Sequence, residues 1–302
     1  MTKKRGASAL HWFVGILVTL SPLSLSAQTG SQNPSPMTDT TRPHPRISRT
    51  EIPGRRIELG VLKGARLFAG SKVKPEKPAP LIIHFHGAPW LIEYHTARAL
   101  PKAVLITVQL GAGSRAYGSP FENPETFRAM IDQAGRELGN KRGWSSITLT
   151  GFSAGYGAIR AILRDEDNFG RVNNVLLLDG IHASYSPEET ARGQDKKVNA
   201  ADLDSFVKFA REAVAGRRSF VITHSEIFPG TYASTTECAD YLLAELGVKR
   251  RPKLLNGPMG MQQLSVVDAN GLHVRGYAGN TAPDHVDFLH AAPVWFKLLD
   301  IE

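Results

Sequence analysis

A serine lies between two glycines in the stretch I-T-L-T-G-F-S-A-G-Y-G, residues 147–157. The run Ile147–Thr150 predicts a buried strand and Ala154–Leu163 predicts a helix, so Ser153 falls on the turn between them. Small flanking residues allow a sharp turn that leaves the hydroxyl exposed above the sheet and the backbone strained. Ser153 is therefore a candidate nucleophile for acyl transfer, and an ordinary solvated turn serine is the alternative.

Two backbone amides near this turn are candidates for stabilising an oxyanion. Ala154 begins the predicted helix, where unpaired N–H groups and the helix dipole favour negative charge. An earlier buried strand runs into H-F-H-G-A-P-W, residues 84–90. A loop in this place would bring a second amide to the reaction centre. Ala88 is the predicted donor and Gly87 the second choice, whereas Pro89 has no N–H.

The order of these motifs resembles that of the α/β-hydrolase superfamily. H-G follows one strand, G-F-S-A-G follows a later strand, and a histidine lies near the C-terminus. The resemblance spans about residues 55–300 and identifies no subfamily. It implies a mostly parallel sheet of the eight-strand type with helices on both faces. It also implies a Ser-His-acid triad in the chain order serine, acid, histidine.

The superfamily places the base of this triad beyond the last strand. His285 follows the turn-rich residues 279–284 and precedes the last helix, so it is the predicted base. His290, further into that helix, is the alternative. Asp284 is predicted to cap the helix instead of taking part in the triad.

Two residues are candidates for the acid. Glu226 follows the predicted strand Phe220–Thr223, where most members of the superfamily carry their acid, usually an aspartate. Asp179 directly follows the strand Val175–Leu178, and its L-D-G context resembles lipase-like members that take the acid from this earlier strand. A carboxylate there would bond the histidine Nδ1–H and hold the required tautomer. The prediction favours Glu226 and keeps Asp179 as the alternative.

The segment Gly180–Asp202 is polar and lies where members of the superfamily insert lids. Because it is short, we predict an open cleft. Aromatic residues in nearby loops are candidates for lining a substrate groove, with loop packing as the alternative. They are Trp90, Tyr117 and Tyr185, together with Tyr94 and Tyr232.

Short apolar runs alternate with amphipathic runs along the chain. The predicted strands are Leu81–Phe85, Val104–Val108, Ile147–Thr150, Val175–Leu178, Phe220–Thr223 and His273–Tyr277. The predicted helices are Pro124–Leu138, Ala154–Leu163, Leu203–Ala215, Thr235–Leu246 and Val286–Leu299. Continuous apolar strands are typical of a parallel sheet buried on both faces, and their alternation with helices predicts a doubly wound α/β fold. The early segment Arg55–Phe68 is predicted to form antiparallel edge strands.

The N-terminal region has the pattern of a secretory signal. Residues 1–27 begin with three basic residues, continue with a short apolar run and end with small residues, which predicts cleavage near Ala27. A retained membrane anchor is the alternative. Residues 28–48 are rich in Ser, Thr, Pro and Gln and are predicted to be a flexible linker, which leaves 49–302 as one catalytic domain. The predicted location is secreted or periplasmic.

Composition narrows the class of function. The chain has 302 residues and a formal charge of +8, but no nucleic-acid-binding motif. Cys238 is the single cysteine and no Cys/His group has metal-ligand spacing, so neither a metal nor another cofactor is expected. The predicted function is a secreted serine hydrolase that cleaves a small-molecule or polymer-borne carboxylic ester through an acyl-enzyme. An acyltransferase, a peptidase or amidase, and a non-catalytic binding protein are the alternatives. No nucleic-acid partner and no stable membrane insertion after processing are expected.

Overall fold

The computed structural model describes residues 43–187 and 196–301. The predicted signal peptide and most of the predicted linker lie outside the described residues, as does the middle of the predicted lid segment. Within the described ranges, no helix combines the length and the apolar character that a membrane crossing requires.

A ten-stranded sheet forms the centre of the domain. Its strands are β1 Gly54–Glu58, β2 Ala65–Gly70, β3 Ala79–Phe85, β4 Val104–Val108, β5 Trp144–Phe152, β6 Asn174–Leu178, β7 Ser219–His224, β8 Arg251–Asn256, β9 Gln262–Ala269 and β10 Leu272–Tyr277. They lie side by side in the order β1-β2-β4-β3-β5-β6-β7-β10-β9-β8. The six strands from β4 to β10 in this order are parallel, and the two strands at each edge are antiparallel.

The first eight strands in this order are arranged as in the α/β-hydrolase fold. The second strand is antiparallel to its neighbours, and β4 lies before β3 in the sheet although it follows β3 in the chain. The central strands β3, β4, β6 and β7 are buried along their whole length. Strands covered on both faces are apolar throughout, which explains why the sequence shows continuous runs there instead of alternation. The predicted mostly parallel, doubly wound sheet is therefore confirmed.

Helices cover both faces of the sheet. They are α1 Pro89–Ala99, α2 Ser114–Gly118, α3 Pro124–Leu138, α4 Tyr156–Arg164, α5 Glu166–Arg171, α6 Asp204–Val214, α7 Thr235–Glu245, α8 Ala282–His290 and α9 Ala292–Phe296. Apolar residues of α3, α4, α6 and α7 form one core against one face of the sheet. Residues of α1, α8 and α9 form a second core against the other face. Alternate side chains of β3 enter different cores, with Ile83 in the first and Ile82 in the second.

Residues 43–48, at the end of the predicted linker, lie against α8. His44 Nδ1 is 2.6 Å from Asp287 Oδ2, and Arg46 Nε donates to the other oxygen of this carboxylate at 3.1 Å. Ile47 packs against the second core. Asp287 is fully buried, so these two basic side chains stabilise a carboxylate that burial would otherwise disfavour. Residues 43–48 thus pack on α8 and the second core, and the domain start at residue 49 stays a prediction.

Candidate active site

Three strained residues mark one edge of the sheet. His86, Ser153 and Asp179 have positive φ values of 69°, 47° and 44°. They are the first residues after β3, β5 and β6, respectively. These strands are parallel neighbours in the sheet, so their carboxyl ends meet at the same edge. A non-glycine residue in this conformation costs about 1–3 kcal/mol, and such strain concentrates at functional sites. The geometry thus points to this edge as the candidate active site.

Ser153 begins a turn of 3₁₀ helix, Ser153–Gly155, that leads from β5 into α4. A Cβ atom on Gly155 would lie 2.1 Å from the carbonyl oxygen of Phe85, so only glycine fits between the turn and β3. A Cβ atom on Gly180 would lie 2.5 Å from the carbonyl oxygen of Ser153 itself. The predicted sharp turn therefore exists, and the glycine after β6 packs directly on its backbone. Gly180 had no signal in the sequence beyond its place in L-D-G.

Asp179 and His285 form a close pair. His285 Nδ1 lies 2.6 Å from Asp179 Oδ2. The same carboxylate accepts hydrogen bonds from the backbone and hydroxyl of Ser225, both at 2.8 Å, and from Thr235 Oγ1 at 2.9 Å. Burial alone would raise the pKa of Asp179, but His285 and the Ser225 donors outweigh it and hold the pKa below its ordinary value. The carboxylate is therefore ionised and fixes the imidazole with Nδ1 protonated.

Glu226, the favoured acid of the sequence analysis, does not contact His285. It follows β7 as predicted, and its backbone N–H donates to Gly279. Its side chain is exposed, however, and the acid beside His285 is Asp179. The positive φ of Asp179 and its donors Ser225 and Thr235 bring the carboxylate to the histidine. The geometry thus favours Asp179, the alternative of the sequence analysis, over Glu226 as the partner of His285.

His285 lies in the first turn of α8 and not in the loop before it. Thr281 and Asp284 form a capping box at the start of this helix, which confirms the predicted capping role of Asp284. The ring of His285 packs on that of Phe152, with 4.5 Å between ring centres. Phe152 directly precedes Ser153, so His285 packs on the residue that leads into the strained turn. Among the described residues no hydrogen bond joins Ser153 to His285. Hydrogen bonds of this kind are often long in ligand-free enzymes and tighten with substrate.

His84, His86 and His290 have other surroundings. His84 is buried in β3 with Nδ1 2.7 Å from Thr150 Oγ1, and burial lowers its pKa to about 3. His86 Nδ1 lies 2.8 Å from the hydroxyl of Tyr117, so His86 braces the loop after β3. His290 has a buried Nδ1 that bonds to no described residue. Of these three, only His86 reaches the cavity beside Ser153.

A cavity of about 550 Å³ opens beside the strained turn, with Ser153 and Ala154 in its wall. Ala154 is the second residue of a helical turn, where the amide has no intrahelical partner, so this N–H is free to bond to a ligand. Gly87 and Ala88 are not part of the cavity wall, although His86 directly before them is. Neither of their amides donates a hydrogen bond to a described residue, so both remain available as the second donor.

The aromatic lining differs from the prediction. Tyr156, His182 and Tyr232 line the cavity, whereas Trp90, Tyr117 and Tyr185 do not. Of the five predicted aromatic residues, Tyr232 alone is placed there, and Tyr156 and His182 were not predicted.

The three predicted aromatic residues that do not line the cavity, Trp90, Tyr117 and Tyr185, make contacts within the fold instead. Trp90 lies in α1 and packs against the second core. Tyr117 is fully buried, and its hydroxyl joins His86 to the loop after β4. Tyr185 donates a hydrogen bond to Glu237 at 3.1 Å. Both ends of the predicted lid segment nevertheless contribute to the cavity wall, through Ser184 and Asp202.

One group of ligand-type side chains lies outside the cavity. Ligand atoms of His44, Asp284 and Asp287 come within 4.8 Å of one another. Asp284 already caps α8, and Asp287 already receives His44 and Arg46. Docking of residues 43–48 on α8 explains this group without a metal ion.

No family model matches the chain, and no curated protein matches it. Solved structures with a similar fold include the feruloyl esterase module of Clostridium thermocellum complexed with sinapinate, at 11% identity over 82% of this chain and 90% of that one, with a TM-score of 0.45. Esterase 2 of Thermogutta terrifontis, phosphoramylated by tabun, is 14% identical over 84% and 98%, with a TM-score of 0.46. The acylaminoacyl peptidase of Pyrococcus horikoshii is 13% identical over 82% and 41%, with a TM-score of 0.43. The strand order and the turn at Ser153 define the class: this chain has the α/β-hydrolase fold, as its sequence motifs predicted.

Proposed function

We propose that the protein is a serine hydrolase that cleaves carboxylic esters. The observation that carries the proposal is the buried Asp179–His285 pair, which lies at the same sheet edge as a strained serine on a sharp turn. An ordinary turn serine needs neither the positive φ nor a histidine whose tautomer is fixed by a buried carboxylate. Ser153 lines a cavity, and this cavity gives a substrate access to the serine.

In the proposed reaction, Ser153 Oγ attacks the carbonyl carbon of the ester while His285 Nε2 takes the serine proton. Asp179 keeps the proton on His285 Nδ1 and stabilises the imidazolium that forms. The Ala154 N–H, with that of Ala88 or Gly87, stabilises the negative oxygen of the tetrahedral intermediate. His285 then returns the proton to the leaving alcohol. A water molecule then gives a proton to His285 and attacks the acyl carbon. His285 passes this proton to Ser153 Oγ as the bond between the acyl carbon and the serine oxygen breaks, which releases the acid and restores the serine.

The site of action is part of the same proposal. We infer export to the periplasm or the medium from the signal-like residues 1–27. Protein recovered from the producing cell should begin close to Gln28, and full-length chain in the cytosol would contradict export without affecting the chemistry.

The chemistry is tested by covalent labelling. A fluorophosphonate probe forms a stable adduct with an activated serine, and intact-protein mass spectrometry counts the adducts. Wild type should gain one adduct, which peptide mapping places on Ser153, and Ser153→Ala should gain none. Turnover of p-nitrophenyl acetate should fall by several powers of ten in the same variant. Ser114→Ala, another cavity serine, is the matched control and should still be labelled. Folded wild type that stays unlabelled would reject the proposal and favour a binding protein.

A further inference from the structure

The cavity beside Ser153 contains a nearly balanced charge pair. Arg160 Nη1 lies 3.1 Å from Asp202 Oδ1, and the two side chains are 21% and 22% exposed. Asp202 Oδ2 accepts hydrogen bonds from the backbone and the hydroxyl of Ser184 at 2.8 and 2.7 Å. Because the carboxylate offsets the guanidinium, the cavity has little net attraction for a charged ligand.

The cavity wall nevertheless offers unused donors and acceptors. Among the described residues, Nε and the second amino group of Arg160 make no hydrogen bond. His182 Nδ1 donates to the carbonyl of Ala233 at 3.0 Å, and burial lowers the pKa of His182, so its Nε2 is a neutral acceptor. Ser114 Oγ accepts a hydrogen bond from Tyr156 at 3.1 Å and keeps its own proton to donate. A ligand that fills the cavity therefore meets several hydrogen-bonding groups from different directions.

Aromatic rings form another part of the same wall. The ring of His182 lies edge-on to those of Tyr156 and Tyr232, with 5.6 and 5.1 Å between ring centres. Tyr232 is 44% exposed, so part of its ring is free for a ligand. A ring with hydroxyl groups at its rim and C–H groups on its faces matches this combination, because the hydroxyls meet the polar groups and the C–H faces meet the aromatic rings.

We propose that the natural substrate is an ester of a neutral sugar, with the sugar ring in this cavity. A purely apolar chain would desolvate the unused N–H groups of Arg160 and the Nε2 of His182 without giving them a hydrogen-bond partner, which costs binding energy. An acidic group would compete with Asp202 for Arg160. The sugar is placed on the alcohol side of the ester because a hydroxylated ring forms esters through its own hydroxyls. This inference rests on the proposed esterase function.

A matched pair of substrates tests the inference. 6-O-Acetylglucose and cyclohexylmethyl acetate present the same primary acetate on rings with and without hydroxyl groups, and released acetate is measured for both. Wild type should favour the sugar ester by at least about tenfold in kcat/KM, because the apolar ester leaves polar groups of the cavity unpaired. Arg160→Met keeps a long side chain against Tyr156 but removes the donors, and it should reduce this preference about tenfold.

Two further variants complete the test. Ser114→Ala removes a hydroxyl from the cavity without touching the ion pair, and it should also reduce the preference for the sugar ester. Arg211→Met breaks an exposed ion pair with Glu245 outside the cavity, and it should leave the preference unchanged. Equal turnover of both acetates by wild type, or an unchanged preference in folded Arg160→Met, would overturn the inference alone. If wild type neither hydrolyses p-nitrophenyl acetate nor is labelled at Ser153, the proposed esterase function fails and the sugar-ester inference fails with it.

Discussion

At the scale of single residues, the choice between Glu226 and Asp179 shows which features of the site follow from the order of residues in the chain and which do not. Glu226 and Asp179 both follow a buried strand, so the sequence predicts both at the same edge of the sheet. Which carboxylate reaches His285 depends on side-chain direction and on donors from distant parts of the chain. Ser225 and Thr235, which are 46 and 56 residues from Asp179, supply these donors. Such three-dimensional contacts leave no periodic pattern in the sequence.

Two matched amide substitutions separate these carboxylates. Asp179→Asn should lower turnover on p-nitrophenyl acetate by about 10⁴, the loss known for a triad that has lost its orienting carboxylate. Glu226→Gln should leave turnover within about twofold, because its exposed side chain does not touch His285. Steady-state kinetics measures both, and circular dichroism confirms that each variant is folded. A large loss in Glu226→Gln with normal turnover in Asp179→Asn would reverse the assignment of the acid.

At the scale of elements, helix and strand bounds are predicted correctly where the sequence contains strong capping or termination residues. The helix Pro124–Leu138 has the predicted bounds because Asn123 caps its start and Gly139 ends it in the left-handed conformation. The strand Arg251–Asn256 was not predicted, since it is an exposed edge strand whose residues show no apolar alternation. The predicted helix Val286–Leu299 is instead two helices, Ala282–His290 and Ala292–Phe296, and Pro293 lies in the first turn of the second, where proline is tolerated, because in a helix interior it would remove a backbone hydrogen bond.

The junction between β6 and the serine turn gives a test at this scale. Gly180→Ala would place a methyl group 2.5 Å from the carbonyl oxygen of Ser153 and 2.7 Å from its nitrogen, so the backbone must move. We expect a loss of about 1–3 kcal/mol in the free energy of unfolding, together with at least about tenfold lower turnover. Urea unfolding and ester kinetics measure these effects.

Gly170→Ala is the matched control for this substitution. Gly170 lies in the helix Glu166–Arg171 with no atom within 4 Å of the added methyl group. Because alanine favours a helix, this change should raise the free energy of unfolding by about 0.5–1 kcal/mol and leave turnover unchanged. If Gly180→Ala behaved like Gly170→Ala, the glycine after β6 would have no part in holding the serine turn.

At the scale of the whole molecule, both cores contain or border buried neutral histidines. Burial lowers the pKa of His84 in β3 to about 3 and that of His95 in α1 to about 4. Burial and the nearby charge of Arg250 lower the pKa of His224 at the end of β7 to about 4. All three are less than 5% exposed. Because these imidazoles are buried, the stability of the folded protein depends on their remaining uncharged.

The three histidines predict a loss of stability in mild acid. In the unfolded chain each takes up a proton near its ordinary pKa of 6.5, whereas in the folded protein it does so only near pH 3–4. The unfolded state therefore binds more protons between these values, so stability falls as the pH decreases from about 6.5 towards 4. From pH 7.5 to pH 5 each histidine should lower the free energy of unfolding by about 2 kcal/mol.

Urea unfolding at these two pH values measures the total change in the free energy of unfolding. In His95→Asn this change should be smaller by about 2 kcal/mol, the contribution of one histidine. An equally stable protein at both pH values would contradict the neutral state of the buried imidazoles. An unchanged difference in His95→Asn would remove His95 from the effect.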